Sequence, residues 1–200
     1  MKTDNSRLRK QIQFILEIDK LKKIVRQTLL TDQSRKENDA EHSWHIALMA
    51  VLLLEHAEDK RINVSRVVTM ILVHDLVEID AGDTFCYDEA GNADKLEREI
   101  EAADRIFNLL PEDQAVYFRA LWDEFEARQT AESRFAAAMD RLQPLLHNYH
   151  TKGGTWKEHK VHKDQVIKRN HPIAFGSKTL WDFAAGLIDD AVDKGYLEDA

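Results

Sequence analysis

One cysteine, Cys86, stands alone in 200 residues, so no internal disulfide can form and a reducing compartment is expected. No apolar run is long enough to span a bilayer, which argues against a membrane protein. An excess of basic residues is also missing: 28 Lys and Arg against 36 Asp and Glu leave a formal charge of −8. That balance argues against a partnership with long nucleic acid, which needs a basic face to displace counterions, although a local positive site can still hold a small anion. The basic residues near the N-terminus are interrupted by Asp4, Glu17 and Asp19, and no signal-peptide core follows them. The expected location is the cytoplasm. Alternating strand-like patterns and Asn-Gly hairpin signals are absent, as are repeats, low-complexity tracts and linkers.

What is present is apolar spacing of three and four residues along nearly the whole chain, the period of an amphipathic helix. Helices are expected over 7–30, 40–57, 64–79, 94–110, 113–128, 131–149, 163–169 and 178–194. Asn38 or Asp39, Asn63 and Ser177 are placed to cap three of them. The fold class is all-α, a single-domain helical bundle. Its core is expected at about 21–150, with a helical extension over about 151–200. Two segments, 81–93 and 151–156, read as mobile borders of a site.

The chemistry centres on His74-Asp75, set inside the apolar run 67–77, where an unpaired histidine and an ionised aspartate are costly to bury. His42, in the first turn of its helix, and Asp140, with Ala136 and Pro144 at its i−4 and i+4 positions, have the same need for a partner. Two neutral imidazoles and two carboxylates bring a charge of −2, which matches one divalent cation. The absence of thiolates excludes a zinc finger and leaves Mn²⁺, Co²⁺, Fe²⁺, Ni²⁺, Zn²⁺ and Mg²⁺ open. Four protein ligands leave vertices for water and a substrate oxygen, as hydrolysis requires. Glu78, four residues past His74, is expected on the same helical face as a proton acceptor. The turn Asp80-Ala81-Gly82-Asp83 follows, with Gly82 free to end the helix. Arg26 and Arg35 are the cations upstream of His42 available to an anionic substrate. Pro144 is expected to bend its helix beside Asp140 and open space there.

The ordered set His42, His74-Asp75 and Asp140 resembles the HD-domain metal-dependent phosphohydrolase superfamily. The runs 35–42 and 74–83 resemble its branch of bacterial 5′-deoxynucleotidases and HD-domain-containing relatives. The resemblance covers roughly 21–149. It implies an HD-type helical fold, often dimeric, with one divalent metal held by His42, His74, Asp75 and Asp140. It also implies that Glu78 helps activate water; in the expected mechanism Glu78 or Asp83 takes the water's proton, and the other acid assists the leaving alkoxide or positions the sugar. The Asp80, Ala81, Gly82, Asp83 turn would contact the nucleoside, and Arg26 would match the phosphate-orienting arginine. The nucleotidases follow that arginine with a tryptophan of the sugar pocket, where this chain has Gln27 and Thr28.

The expected activity is therefore hydrolysis of a phosphate monoester, a (deoxy)nucleoside 5′-monophosphate or a related small phosphorylated metabolite, by a homodimeric enzyme. The alternatives are an HD-type phosphodiesterase, a nucleoside triphosphate hydrolase, or a non-catalytic metal-containing metabolite sensor. His45 reads as a packing residue, and the pairs His147/His150 and His159/His162 as solvated. Trp122, Phe125, Trp156 and Trp181 read as core or dimer contacts, and Cys86 has no nucleophile-base motif beside it.

Overall fold

The first expected helix, 7–30, does not run through. In the computed structural model, which describes residues 5–88, 91 and 93–199, helix α1 (Ser6–Ile18) gives way to a 3-10 turn at Asp19–Lys23. Strand β1 (Val25–Leu29) follows, paired antiparallel with β2 (Lys36–Asn38) in the register Val25↔Asn38 and Leu29↔Lys36, with an irregularity between. The β-branched residues Ile24, Val25 and Thr28 favour the extended chain. The hairpin matters because β1 carries Arg26 and β2 carries Glu37 directly into the start of α2 (Asp39–Leu52). There Asn38 accepts from Glu41 N at 3.0 Å, while the Glu41 carboxylate accepts from Asn38 N at 3.3 Å. This capping box, worth about 1 kcal/mol, fixes Asn38 as the cap and frees Asp39 to point inward.

Helix α3 (Val64–His74), capped by Asn63, buries Val67, Met70, Ile71 and His74 and packs against α2 and the later helices Glu112–Ala127 and Ala131–His150. The expected helix 64–79 is interrupted at Asp75–Val77 by a 3-10 turn before the short α4 (Glu78–Ala81), which ends at Gly82 with φ 75° and ψ 148°. Then come α5 (Lys95–Phe107), α6 (Glu112–Ala127) and α7 (Ala131–His150). The small residues Ala136 to Ala138 of α7 are buried, so α3 and α2 lie close to its backbone and Asp140 meets both histidines. Four further helices, α8 (Gly154–Glu158), α9 (Lys163–Asn170), α10 (Ile173–Gly176) and α11 (Lys178–Asp193), pack mainly on α7, β1 and one another. Among the described residues the fold is thus all-α with one two-stranded sheet. No described helix is long and apolar enough to cross a membrane.

The expectation of a mobile 151–156 segment is corrected: Thr151, Thr155 and Trp156 are buried, Thr155 Oγ1 donates to Gln27 O at 3.1 Å, and Trp156 N donates to Asn148 Oδ1 at 3.3 Å. Residues 89, 90 and 92 of the 81–93 segment lie outside the described residues. Gly153 is what the tight turn before α8 demands, since its φ is 83° and an added Cβ would lie 1.8 Å from Tyr196 O. Gly153→Ala is expected to lower stability by about 2 kcal/mol or more, read as a lower urea midpoint at unchanged slope. An unchanged midpoint would mean that the turn relaxes freely.

Candidate metal centre and active-site cavity

Four side chains from three helices and one turn converge at the end of α3. His74 Nδ1 donates to Ile71 O at 2.7 Å, which leaves Nε2 as the bare nitrogen of the neutral ring. That nitrogen has no hydrogen-bond partner, yet it lies 2.9 Å from Asp75 Oδ1 and 3.8 Å from Asp140 Oδ1. His42 is fixed the same way by a longer chain of contacts. His147 Nδ1 donates to Leu29 O at 3.0 Å, so its Nε2 accepts from Gln143 Nε2 at 3.2 Å. The Gln143 amide also donates to Glu37 Oε1 at 2.7 Å, which turns Gln143 Oε1 toward His42 Nδ1 at 3.1 Å. His42 Nδ1 is therefore the donor, and its Nε2 faces Asp140 Oδ1 at 3.1 Å. Two bare imidazole nitrogens aimed at carboxylate oxygens repel them unless a positive charge lies between. Donor atoms of His42, His74 and Asp140 all lie within 4.8 Å of one another, with Asp75 beside them. The set of two nitrogens, two carboxylates and no thiolate suits a divalent ion, and the orienting bonds on each Nδ1 are the outer-shell partners that metal-binding histidines need.

Without a cation, protons take that place. Although burial opposes it, Asp75 and Asp140 raise His74 to about 10, and Asp140 and Glu37 raise His42 against burial and Arg26. Against the same cost of burial, His74 and Arg26 hold Asp75 down to about 2, and the two histidines hold Asp140 well below the carboxylate range. A histidine raised from 6.5 to about 10 contributes stability that is complete below pH 6.5 and is lost as pH rises through 10. Asp75, lowered from 3.8, contributes above pH 3.8 and loses it as pH falls toward 2. The thermal midpoint of metal-stripped protein is therefore expected to fall between pH 6.5 and 10 more steeply than that of metal-loaded protein. Parallel pH profiles for the two forms in scanning fluorimetry would contradict this.

A second cluster stands beside the first. Asp39, Asp75 and Glu78 bring carboxylate oxygens within 4.8 Å of one another, all buried. Arg26 Nη1 donates to Asp75 Oδ2 at 3.0 Å and to Asp39 Oδ1 at 3.2 Å. One guanidinium does not neutralise three acids. Burial and then Asp75 push Asp39 up to about 6, and burial with Asp75 and Asp39 pushes Glu78 well above its ordinary range. Burial likewise raises Asp83.

These groups open onto a cavity of about 380 Å³ whose floor includes Arg26, His74, Asp75, Glu78, Asp83 and Asp140. His42 is fully buried behind it. Pro144 lines the cavity beside Asp140, and Gln27 and Thr28 lie at its edge. Of the expected substrate contacts, Arg26 and Asp83 are on this wall, but Arg35, Asp80, Ala81 and Gly82 are not. Arg35 is exposed and holds Glu41 through two bonds of 2.7 and 2.8 Å, while Asp80 points away to Arg105. Glu78 and His74 do not share a simple helical face, because the 3-10 turn between them directs Glu78 toward Asp39 and Asp75. His147 is buried rather than solvated. Asp39, Glu37 and Gln143, read in the sequence as a cap or not at all, belong to the site. Their only sequence signal is polarity at positions bordering apolar helices.

An HD domain family model matches residues 18–181. The 5′-deoxynucleotidase HDDC2 of Homo sapiens is 32% identical over 139 residues, covering 69% of this chain, and that of Bos taurus is 31% identical over a similar span. The match covers 66% of each of these relatives, a little under two thirds of their length. The crystal structure of a predicted metal-dependent phosphohydrolase from Magnetospirillum magnetotacticum MS-1 superposes with a TM-score of 0.94 at 59% identity, covering 99% of both chains. A conserved hypothetical protein of Pyrococcus furiosus, 22% identical, shares the fold with a TM-score of 0.60 over 86% of this chain and 99% of its own. With the His42, His74-Asp75 and Asp140 cluster sitting inside the matched span, this chain belongs to the HD domain family.

Proposed function

We propose that this chain is a metal-dependent phosphohydrolase that cleaves a phosphate monoester, a nucleoside 5′-monophosphate, with one divalent cation held by His42, His74, Asp75 and Asp140. The observation that carries this reading is the pair of fixed, bare histidine nitrogens facing two carboxylates on the floor of a cavity that also holds a raised-pKa acid and a buried arginine. The deoxynucleotidase relatives and the phosphohydrolase structure support it. Mixed nitrogen and oxygen donors suit Mn²⁺, Co²⁺, Fe²⁺, Ni²⁺ or Zn²⁺ better than Mg²⁺. Such an ion supplies an acidified water and charge neutralisation at the phosphate.

The chain's own groups do the rest. Glu78, buried beside Asp39 and Asp75, accepts the proton of the attacking water, and added positive charge next to it favours the ionised form this requires. Burial beside Asp75 and Asp39 raises its proton affinity above that of an ordinary carboxylate, which suits a proton acceptor. Asp83, on the same wall, holds the leaving alkoxide or the sugar. Arg26, whose Nε has no hydrogen-bond partner, orients the phosphate from the β1 side. The chain acts as a homodimer through exposed apolar side chains, Trp44, Leu48, Val51 and Leu52 on α2 together with Ile12, Ile15 and Leu16 on α1. Sedimentation as a monomer at micromolar concentration would remove the dimer from this reading. The reaction itself is tested by product analysis with nucleoside mono- and triphosphates. Inorganic phosphate from the monophosphate supports it, and pyrophosphate from the triphosphate alone contradicts it.

A further inference from the structure

The same cavity is lined by three arginines that remain without an acid to balance them. Arg128 closes α6 in a left-handed conformation with φ 51°, Arg141 follows Asp140 on α7, and Arg169 is the penultimate residue of α9. All three line the cavity. Among the described residues, none has a carboxylate oxygen within 4.0 Å, whereas the other cations of the cavity, Arg26 and Lys95, are paired with Asp75 and Glu99. Arg141 is only 6% exposed. Its Nη1 donates to Arg169 O at 2.9 Å, tying the end of α9 to α7, but its Nε and the buried Nε of Arg128 have no hydrogen-bond partner.

Asp140, next in sequence to Arg141, faces His42 and His74, and Glu126, which also lines the cavity, has no arginine nitrogen within 4.0 Å among the described residues. Burial, followed by Arg169 and Arg128, lowers Arg141 to about 10, the mark of a guanidinium held in a positive field. Buried cations persist when something pairs with them, and converging guanidinium groups with free N–H bonds are built for oxyanions.

The arginines and the floor bound one cavity, so a single molecule can reach both. We propose that Arg128, Arg141 and Arg169 bind a second anionic group of the substrate, a phosphate or a carboxylate, so that the preferred substrate is a phosphate monoester with an anion at each end. This rests on the reading of the floor as a phosphomonoesterase centre and narrows its substrate class.

The test counts inorganic phosphate bound to metal-loaded full-length protein by calorimetry, for the wild type and Arg169→Gln, with Arg128→Gln as a second variant. Arg141 is left intact because it holds α9, and thermal midpoints check that the variants fold. The expected count is two in the wild type and one in the variants. A count falling from one to zero would sustain the arginine site while contradicting phosphate binding at the floor. An equal count in all three proteins would overturn the arginine site.

A second arm compares kcat/KM for adenosine 3′,5′-bisphosphate and adenosine 5′-monophosphate. The bisphosphate is expected to be preferred at least tenfold by the wild type, with that preference falling at least tenfold in Arg169→Gln. Substitution-sensitive phosphate binding without any preference for the bisphosphate would contradict the assignment to the substrate.

Discussion

Replacing Asp75 with alanine is expected to abolish metal binding and turnover together, with a loss of ~10³-fold or more in kcat/KM. Asp75 stands between the two clusters: one oxygen lies 2.9 Å from the bare nitrogen of His74, and the other accepts from Arg26 at 3.0 Å. Without it the donor set loses a quarter of its ligands and half of its negative charge, so a divalent ion there is no longer neutralised. Arg26 keeps Asp39 as its partner at 3.2 Å, so the hairpin stays anchored and the fold is expected to survive. Asp75→Asn separates charge from shape, since it fills the same space without the negative charge, and it is expected to behave like alanine. Metal content by mass spectrometry and phosphate release are the two readouts. A variant that keeps one equivalent of metal and full turnover would remove Asp75 from the centre.

Glu78→Gln is expected to separate the two readouts that Asp75→Ala loses jointly. Glutamine retains the volume and offers a donor toward Asp39, so the buried cluster is preserved and metal should remain bound. Without a proton acceptor, kcat is expected to fall by about 10²- to 10⁴-fold, the usual worth of a positioned general base. Asp83→Asn provides the control, because Asp83 lines the same wall and is also raised by burial. If Asp83→Asn removes turnover and Glu78→Gln leaves it intact, Asp83 is the acceptor and Glu78 only shapes the acid cluster.

Much of this centre was legible because its residues break rules locally. A histidine and an aspartate inside an apolar run advertise a missing partner, and Asp140 with no i±4 cation advertises another. Helical periodicity likewise exposed α5, α6 and α7 to within three residues, and α2 and α3 at their starts but with five residues too many at their ends. What escaped were features set by tertiary contact. Residues 25–29 have a periodicity compatible with helix, and only the pairing with β2 makes them a strand that delivers Arg26. The 3-10 turn at Asp75–Val77 leaves no trace in residue type, so the i, i+4 relation between His74 and Glu78 misplaced the glutamate. Asp39 and Asn38 are equally good caps on paper, and the capping box with Glu41 decides between them. Gln143 and His147 are ordinary helical residues in sequence, yet the buried chain from Leu29 O to His42 runs through both. Arg35 was misread because a surface partner, Glu41, lies six residues away and holds it outside the cavity.

The most direct test of the account is a metal titration of stripped protein, with bound metal counted by equilibrium dialysis and phosphate release from nucleoside 5′-monophosphates followed in the same samples. The prediction is that release rises in proportion to bound metal, saturates at one equivalent per chain, and is absent from Asp75→Ala at every metal level. Release that is independent of bound metal, or that persists in Asp75→Ala, would contradict the claim that this centre is where the chemistry occurs.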